Sequence, residues 1–289
     1  MKDMTMKHVF YNIKAGDGHG KECAEALSSI YGEDMTLVDI VALGDKLSEY
    51  ALSLSADDAI VICGGDGTIN RFVNSIDTDS ISCSVLYLPA GTGNDFAFDI
   101  GMKEAKEPFD ITDYIKGLPT VTVNGKSYKF INGIGYGIDG YCCEVGDKKK
   151  AAGKEPNYTS IAITGLLFHF KAREATVIVD GEEHSFKKVW IAPTMYGRCY
   201  GGGMIAAPDQ KRDSGELTLM VFGGGGRLPT LMAFPGIFKG EHVKSKYVKL
   251  FTGKKITVRF SQPTPLQIDG ETILGVTEYT AYAPGVKAE

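Results

Sequence analysis

The sequence predicts a two-domain protein, with an N-terminal α/β domain on a parallel sheet and a mainly antiparallel β domain after it. Three observations support this fold class. Apolar strand-like runs alternate with helix-spaced runs as far as Leu88, and glycine-rich turns follow the first, third and fourth apolar runs. From about Val121 onward, β-rich runs separated by turns such as Asp180-Gly181 replace that alternation.

The N-terminal elements follow from the apolar spacing. Ala24, Leu27 and Ile30 recur at helical intervals, whereas Ala59–Cys63 is apolar at every position, as expected of a buried parallel strand. The predicted strands are His8–Ile13, Met35–Ile40, Ala59–Cys63 and Val85–Leu88, and the predicted helices are Lys21–Tyr31, Leu47–Leu54 and Ile69–Ile76.

The second domain is predicted from short runs rich in β-branched and aromatic residues. A helix is expected within it near Asn157–Lys171. We expect an α/β domain over residues 1–122, with residues 280–289 as a further segment that could complete it, and a β-rich domain over 123–279. The predicted strands are Val121–Val123, Tyr128–Ile131, Ala175–Val179, Lys188–Ala192, Leu217–Phe222, Tyr247–Phe251, Ile256–Phe260 and Leu266–Ile268.

Composition excludes several classes of protein. The net charge of −5 argues against binding nucleic acid through overall charge. The longest apolar stretches, near 161–170 and 228–238, are too short for a membrane span, and the N-terminus lacks a signal-peptide core. The six cysteines show no zinc spacing and are expected to be reduced. These features predict a cytoplasmic protein and leave a homodimer open.

The glycine-rich turns are the first candidate site. They span 12–18, 64–70 and 89–95, and in an open parallel sheet such turns meet at the carboxyl edge, where ligands bind. Glycine lets backbone N–H groups approach a phosphate, and a following helix adds the positive end of its dipole. An acid among three glycines, Asp66, is not required by a purely structural turn.

The first turn alone resembles a P-loop only superficially. Ala15 stands where its first glycine belongs, and Glu22 replaces the hydroxyl residue that would bind magnesium. Lys21 occupies the place of the third glycine of a dinucleotide fingerprint. For this turn considered alone, a tight structural connection between strand and helix is the favoured interpretation.

Five segments together resemble the diacylglycerol kinase catalytic-domain family, which is related to sphingosine kinases and, more distantly, to NAD kinases. They begin with the Gly-Gly-Asp-Gly-Thr sequence at 64–68 and continue in the family's order over nearly the whole chain. The segments are 64–68, 89–97, 130–139, 213–217 and 267–271.

The resemblance implies an ATP-dependent, magnesium-requiring lipid kinase, with diacylglycerol the first choice of substrate. It implies that Asp269 is the general base with Glu271 beside it, that Asp66 and Asp95 bind magnesium, and that Asp213 belongs to a structural magnesium site. Asp66 would also be catalytic. The nucleotide would contact Asn12, Lys14, Gly16, Gly64, Gly65, Asp66, Gly67, Thr68, Asn70, Gly91, Thr92, Asn94 and Asp95.

The sequence departs from the family pattern at several positions. Ile13, Arg71 and Phe98 replace the family's proline, glutamate and arginine, and no acid lies between Asp113 and Asp139, either of which could supply the third carboxylate. Three alternatives stay open: a kinase of another lipid (a sphingoid base, ceramide or phosphatidylglycerol), a kinase of a soluble small molecule, and a nucleotide- or lipid-binding regulator with weak catalysis.

Two basic segments bear on possible partners. Lys148–Lys150 is one, and 239–259 is the other, with Glu241 as its only acid. A solvated surface is one interpretation. Peripheral docking onto an anionic membrane is the other, because cations near such a surface are attracted to it.

Overall fold

The protein is described by a computed structural model that covers residues 5–13 and 19–288. The chain divides into two compact units, Met1–Leu118 and Pro119–Glu289. The division lies slightly before the predicted boundary at residue 122, because Thr120–Val123 forms a strand that pairs within the second unit. No helix among the described residues is long and apolar enough to span a membrane.

The first unit is built on a five-stranded sheet in the order β2-β1-β3-β4-β5. Strands β1 to β4 are parallel, which confirms the predicted parallel sheet, and the short β5 is antiparallel to β4. Every residue of the central strand is buried, as its unbroken apolar sequence predicts. The strands are β1 (Lys7–Tyr11), β2 (Met35–Asp39), β3 (Ala59–Gly64), β4 (Ser84–Pro89) and β5 (Phe109–Asp110).

Helices connect these strands. The predicted helix at 21–31 is interrupted at Leu27, where two shorter helices meet. The helices are α1 (His19–Ala26), α2 (Ser28–Tyr31), α3 (Ile40–Leu43), α4 (Leu47–Leu52), α5 (Asp66–Ser75) and α6 (Asp95–Asp99), with 3₁₀ turns at Gly44–Lys46, Thr78–Ser80 and Thr112–Ile115.

The strand order places a topological switch point between β1 and β3. From β1 the chain passes to β2 on one side, and then returns to β3 on the other side of β1. The carboxyl ends of β1, β3 and β4 lie side by side, since Tyr11 pairs with Cys63 and Gly64 with Pro89. Ligands of open α/β sheets bind outside such a switch point, so the turns that follow β3 and β4 begin where a ligand is expected.

The second unit is an antiparallel β domain, as predicted. Its main sheet follows the order β7-β6-β17-β16-β8-β11-β14-β10-β9, and β15 pairs with β14. The strands are β6 (Thr120–Val123), β7 (Lys126–Lys129), β8 (Gly133–Tyr136), β9 (Arg173–Val179), β10 (Glu182–Ile191), β11 (Thr194–Met195), β12 (Cys199–Tyr200), β13 (Met204–Ile205), β14 (Leu217–Gly223), β15 (Val248–Gly253), β16 (Lys255–Ile268) and β17 (Glu271–Tyr282).

The path of this sheet closes, because β9 also pairs with β16. The interior contains aromatic side chains, with Tyr136 stacked on Phe260 at 4.0 Å between ring centroids. The remaining elements pack around the closed path. They are α7 (Ile138–Ala151), α8 (Tyr158–Thr164), a π-helical turn (Gly165–His169), α9 (Arg227–Ala233) and 3₁₀ helices at Phe234–Lys239 and Glu241–Lys244.

Two features of the C-terminal region differ from the sequence-based expectation. The runs predicted at Ile256–Phe260 and Leu266–Ile268 form one long strand, β16, whose pairing with β17 is irregular between Arg259 and Thr264. Residues 280–282 lie in β17 and pair with β6. This part of the C-terminal segment therefore belongs to the sheet of the second unit rather than completing the first.

Candidate active site

The turn after β3 places Thr68 over the strand end. Gly65 caps α5, and its carbonyl accepts hydrogen bonds from the N–H groups of Thr68 (2.9 Å) and Ile69 (3.3 Å). A Cβ on Gly64 would lie 2.3 Å from Thr68 Oγ1. Glycine is therefore required at position 64 for the first turn of α5 to fold back on the strand.

Asp66 ties the glycine-rich turn after β3 to the one after β4. Its Oδ2 accepts the N–H of Asp95 and its Oδ1 the N–H of Phe96, both at 2.9 Å. These donors open α6, where a negative charge is favourable. Hydrogen bonds to a charged group contribute about 1.5–3 kcal/mol each. Asp66 therefore stabilises the turn and also gives it a negative charge.

The turn at 91–94 is closed by Asn94, which adopts a left-handed conformation (φ 52°). Its Oδ1 accepts the Gly91 N–H at 3.0 Å, and its Nδ2 donates to the Gly91 carbonyl at 2.7 Å. A Cβ on Gly91 would lie 2.6 Å from the Gly65 Cα. The two turns are thus in direct backbone contact, and the Asn94 side chain is used in holding one of them.

The open side of this arrangement is at Gly67, which is exposed next to the buried Thr68. A Cβ added to Gly67 would meet nothing within 4 Å. Thr68 is 2% exposed, and its buried hydroxyl has no hydrogen-bond partner among the described residues. A buried hydroxyl without a partner is costly. An uncovered glycine next to it fits a group, such as a phosphate, that approaches the backbone and accepts a hydrogen bond.

The other nucleotide-contact candidates occupy varied places. Asn12 follows β1 at the same sheet edge, and Thr92 is exposed in the turn after β4. Asn70 is buried in α5, where its carbonyl accepts from Asn74 Nδ2 at 3.0 Å. Lys14 and Gly16 lie outside the described residues.

In the second unit, Asp269 holds a backbone loop with both carboxylate oxygens. Its Oδ2 accepts the N–H of Ile131 at 2.6 Å, and its Oδ1 accepts those of Asn132 and Gly133, each at 2.9 Å. The residue has a left-handed backbone (φ 46°) at the Asp-Gly turn between β16 and β17. A carboxylate has about four lone-pair sites, so three of them are committed to this loop.

Arg212 holds the same loop from its acceptor side, a contact that the sequence did not reveal. Its guanidinium donates to the Ile131 carbonyl and to Asn132 Oδ1 (3.0 Å), and it lies over the Tyr196 ring at 5.2 Å. The only sequence signal for Arg212 was its position directly before the family segment at 213–217. Asp213 itself is exposed, as is Glu271 at the start of β17.

Asp139 is a buried acid at the start of α7. The Tyr200 hydroxyl donates to its Oδ2, and both side chains are buried. Burial raises the pKa of Asp139 to about 7, while the Tyr200 hydrogen bond acts in the opposite direction. Asp113, the other substitute for the family's third carboxylate, is exposed in a 3₁₀ turn of the first unit.

The Asp139 pKa predicts a pH-dependent stability of the second unit. Unfolded aspartate titrates near pH 4, so between about pH 4 and 7 the native state holds a proton that the unfolded state has lost. The contribution is fully present below that window and lost as pH rises through it, by up to about 1.4 kcal/mol per pH unit. We expect Asp139→Asn to flatten this part of the curve, because the amide is neutral throughout and still accepts from Tyr200.

This expectation is checked by urea unfolding at about pH 5 and about pH 7.5. Trp190, the only tryptophan, is buried in the second unit, so its fluorescence reports on that unit alone. Asp209→Asn, which changes an exposed acid of the same unit, is the matched control. If the free energy of unfolding changes equally between the two pH values in the wild type and in Asp139→Asn, Asp139 is ionised in the folded state.

The described residues contain no group of three or more His, Cys, Asp or Glu side chains that could hold a metal ion. Magnesium is commonly bound by one or two carboxylates together with waters and substrate phosphates. Asp66 accepts the backbone N–H of Asp95, and two acids adjacent in this way fit that mode. They do not fit an all-protein cage.

Comparison with known proteins assigns both units. Residues 7–123 match the diacylglycerol kinase catalytic domain, and residues 132–286 match the YegS C-terminal NAD kinase beta sandwich-like domain. A diacylglycerol kinase of Mycobacterium tuberculosis is 26% identical over 256 residues, which cover 83% of this chain and 81% of the relative. A Bacillus subtilis protein named "Putative lipid kinase YtlR" is 28% identical, covering 81% and 78%.

The fold is also similar to that of a solved structure. The crystal structure of a diacylglycerol kinase from Bacillus anthracis str. Sterne superposes with a TM-score of 0.60 at 17% identity, covering 98% of this chain and 96% of that one. The second-unit match alone spans more than half of the chain, and the first-unit match covers the glycine-rich turns. Membership of the family that contains the diacylglycerol kinase catalytic domain implies the use of ATP. The chain belongs to this family and is a lipid kinase.

Proposed function

We propose that this enzyme transfers the γ-phosphoryl group of ATP to the free hydroxyl of diacylglycerol, giving phosphatidic acid and ADP. The observation that carries the ATP site is the pair of turns joined by Asp66, with the open Gly67 and the buried, unpartnered Thr68 hydroxyl beside them. The choice of diacylglycerol is supported by the name of the Mycobacterium tuberculosis relative.

Phosphoryl transfer depends on positioning and on stabilisation of charge. In this proposal Thr68 donates to a phosphate oxygen, and the backbone at Gly67 lies against the phosphates with the α5 dipole behind it. Asp66 and Asp95 would hold a magnesium ion, which would supply positive charge against the phosphates. A structural magnesium at Asp213 remains part of the proposal.

At the acceptor, the lipid hydroxyl oxygen forms a bond to the γ-phosphorus as the bond to ADP breaks. Its proton passes to a carboxylate, which we assign to Asp269. Three backbone donors fix that carboxylate, so its orientation is set before substrate binds. Glu271 is the second choice for this role.

Substitution of Gly67 tests the nucleotide site without disturbing packing. Gly67→Ala adds a methyl group to open space within α5, and alanine favours a helix, so the melting temperature should be unchanged or higher. If phosphates approach this backbone, the methyl group should weaken ATP binding at least about tenfold, equivalent to about 1.4 kcal/mol. Isothermal titration with ATP and magnesium measures the change.

Gly226→Ala is the matched control, because its added Cβ would fit as well: it would make only an ordinary contact, 3.9 Å from Pro229 Cδ. If Gly67→Ala binds ATP as tightly as the wild type does, the phosphates do not lie against this turn. ATP consumption with diacylglycerol, sphingosine, ceramide and phosphatidylglycerol in mixed micelles identifies the lipid. Preference for any lipid other than diacylglycerol would overturn the assigned substrate while leaving the kinase assignment intact.

A further inference from the structure

Three large apolar side chains are unusually exposed in the second unit. Met232 is 75% exposed, Phe168 72% and Leu228 66%, the highest values among the large hydrophobic residues described. We call these three residues the apolar patch. A protein surface tolerates single exposed apolar side chains, but a group of them indicates an interaction site.

The patch lies on two elements that are packed together. Leu228 and Met232 are four residues apart in α9 and therefore share one helix face. Arg227 Nη1 donates to the Leu166 carbonyl of the π-helical turn at 2.6 Å, which brings α9 beside the turn that carries Phe168. The exposed side chains of both elements thus belong to one region of the surface.

The inner faces of these elements are anchored in the core. Leu166 (1% exposed) and Ile237 are buried in one cluster with Trp190, and Leu231 packs against that cluster. The Arg227 guanidinium also lies over the Trp190 ring, at 5.7 Å. The patch is therefore presented by a packed base, and its exposure does not result from a frayed end.

Basic residues lie on elements near the patch, since the 3₁₀ helix that follows α9 is in contact with it. Arg227 to Lys246 includes four basic residues and one acid, Glu241. Lys239 ends the 3₁₀ helix that follows α9, and Lys244 and Lys246 come soon after it; all three are exposed. Lys171, also exposed, closely follows the π-helical turn. Apolar side chains near basic residues are complementary to an anionic lipid surface.

We propose that Phe168, Leu228 and Met232 form a docking surface that inserts into the interfacial region of a bilayer containing anionic lipid. The inference deepens the proposed function and rests on it in one respect: a lipid kinase meets its substrate in such a bilayer. A second copy of the chain is a poorer occupant. A two-fold contact would bring the same basic residues of both copies together, and like charges facing each other are unfavourable.

Vesicle co-sedimentation without ATP tests the surface directly. The vesicles contain phosphatidylcholine alone or phosphatidylcholine and phosphatidylglycerol in equal parts. The variant Phe168→Gln/Leu228→Gln/Met232→Gln should bind the mixed vesicles at least about tenfold more weakly than the wild type, because it loses the apolar burial that drives insertion. Its melting temperature should be unchanged, since all three side chains are exposed.

A triple variant at other exposed apolar positions, Ile30→Gln/Leu37→Gln/Leu274→Gln, is the matched control and should bind as the wild type does. The variant Lys239→Gln/Lys244→Gln should lose affinity for the mixed vesicles and part of its salt dependence, with little change on phosphatidylcholine alone. Equal binding by the patch variant and the wild type, or no vesicle binding by the wild type, would overturn the proposal.

Two further measurements distinguish membrane docking from self-association and from an error in the assigned substrate. Light scattering that shows a wild-type dimer and a monomeric patch variant would make the patch a self-association surface and overturn membrane docking. Turnover of a soluble, short-chain diacylglycerol should be unaffected in the patch variant. Absence of turnover in every protein, with vesicle binding still dependent on the patch, would remove the proposed substrate and keep the docking surface.

Discussion

Asp66→Ala should reduce kinase activity below detection and also lower the stability of the first unit. The loss of activity follows from removing a carboxylate at the proposed phosphate site, where magnesium is expected to bind. The loss of stability follows from the N–H groups of Asp95 and Phe96, which would lose their acceptor at the start of α6. Leaving such donors without a partner costs about 1–3 kcal/mol.

The two effects can be separated. Activity is measured well below the melting temperature, at saturating magnesium, and stability by thermal unfolding in the absence of ligand. Asp113→Ala removes an exposed acid from the same unit and should change neither quantity. Near-normal turnover in Asp66→Ala would limit this residue to holding the turn at 91–96 and would remove it from the proposed chemistry.

Asp269→Asn should lower kcat at least about tenfold, because a positioned general base contributes about 10²–10⁴-fold. Affinity for ATP should change little. The substitution is not a purely chemical one here, because Oδ1 and Oδ2 both accept backbone N–H groups. Whichever way the amide turns, its NH₂ group would face a donor, so the free energy of unfolding should fall as well.

Arg212→Gln distinguishes loss of the base from loss of the loop. It removes the guanidinium that holds Ile131 and Asn132 from the other side and leaves the Asp269 carboxylate in place. If Asp269 accepts the proton, the pH–rate profile of Asp269→Asn should lose its acidic limb, while Arg212→Gln should retain it at reduced kcat. A variant at Asp269 that loses nucleotide affinity and keeps its turnover would make Glu271 the next candidate.

The central strand of the first unit, β3, could be predicted because all of its residues are buried and its sequence is therefore apolar without interruption. Helix α7, by contrast, was missed. It contains Gly140 and Gly146, which lower helix propensity. Both glycines are used in packing: a Cβ on Gly140 would lie 1.8 Å from the Pro265 carbonyl oxygen, and one on Gly146 would touch Tyr158. Tertiary contacts, which local sequence does not report, decide the structure there.

The candidate site shows the same division. The glycine-rich turns and their acids are visible in the sequence because they follow buried strands. The partners of those acids are not, since Asp66 bonds to residues about thirty positions away and Asp269 to residues more than 130 positions away. The sequence therefore offers candidate site residues, but it does not reveal that two of the acids also hold backbone loops in place.

The irregular pairing within β16 has a consequence for the chain lengths that this fold can accept. An extra residue inserted near Gln262 would fall between the stretch of β16 that pairs with β9 (256–260) and the stretch that pairs with β8 (266–268). A bulge can absorb such an addition without changing either register. The same insertion at Leu266 would turn each following side chain to the opposite face and carry Asp269 away from the amides it holds. Gene variants that lengthen this strand should therefore survive at the bulge and be eliminated near its end.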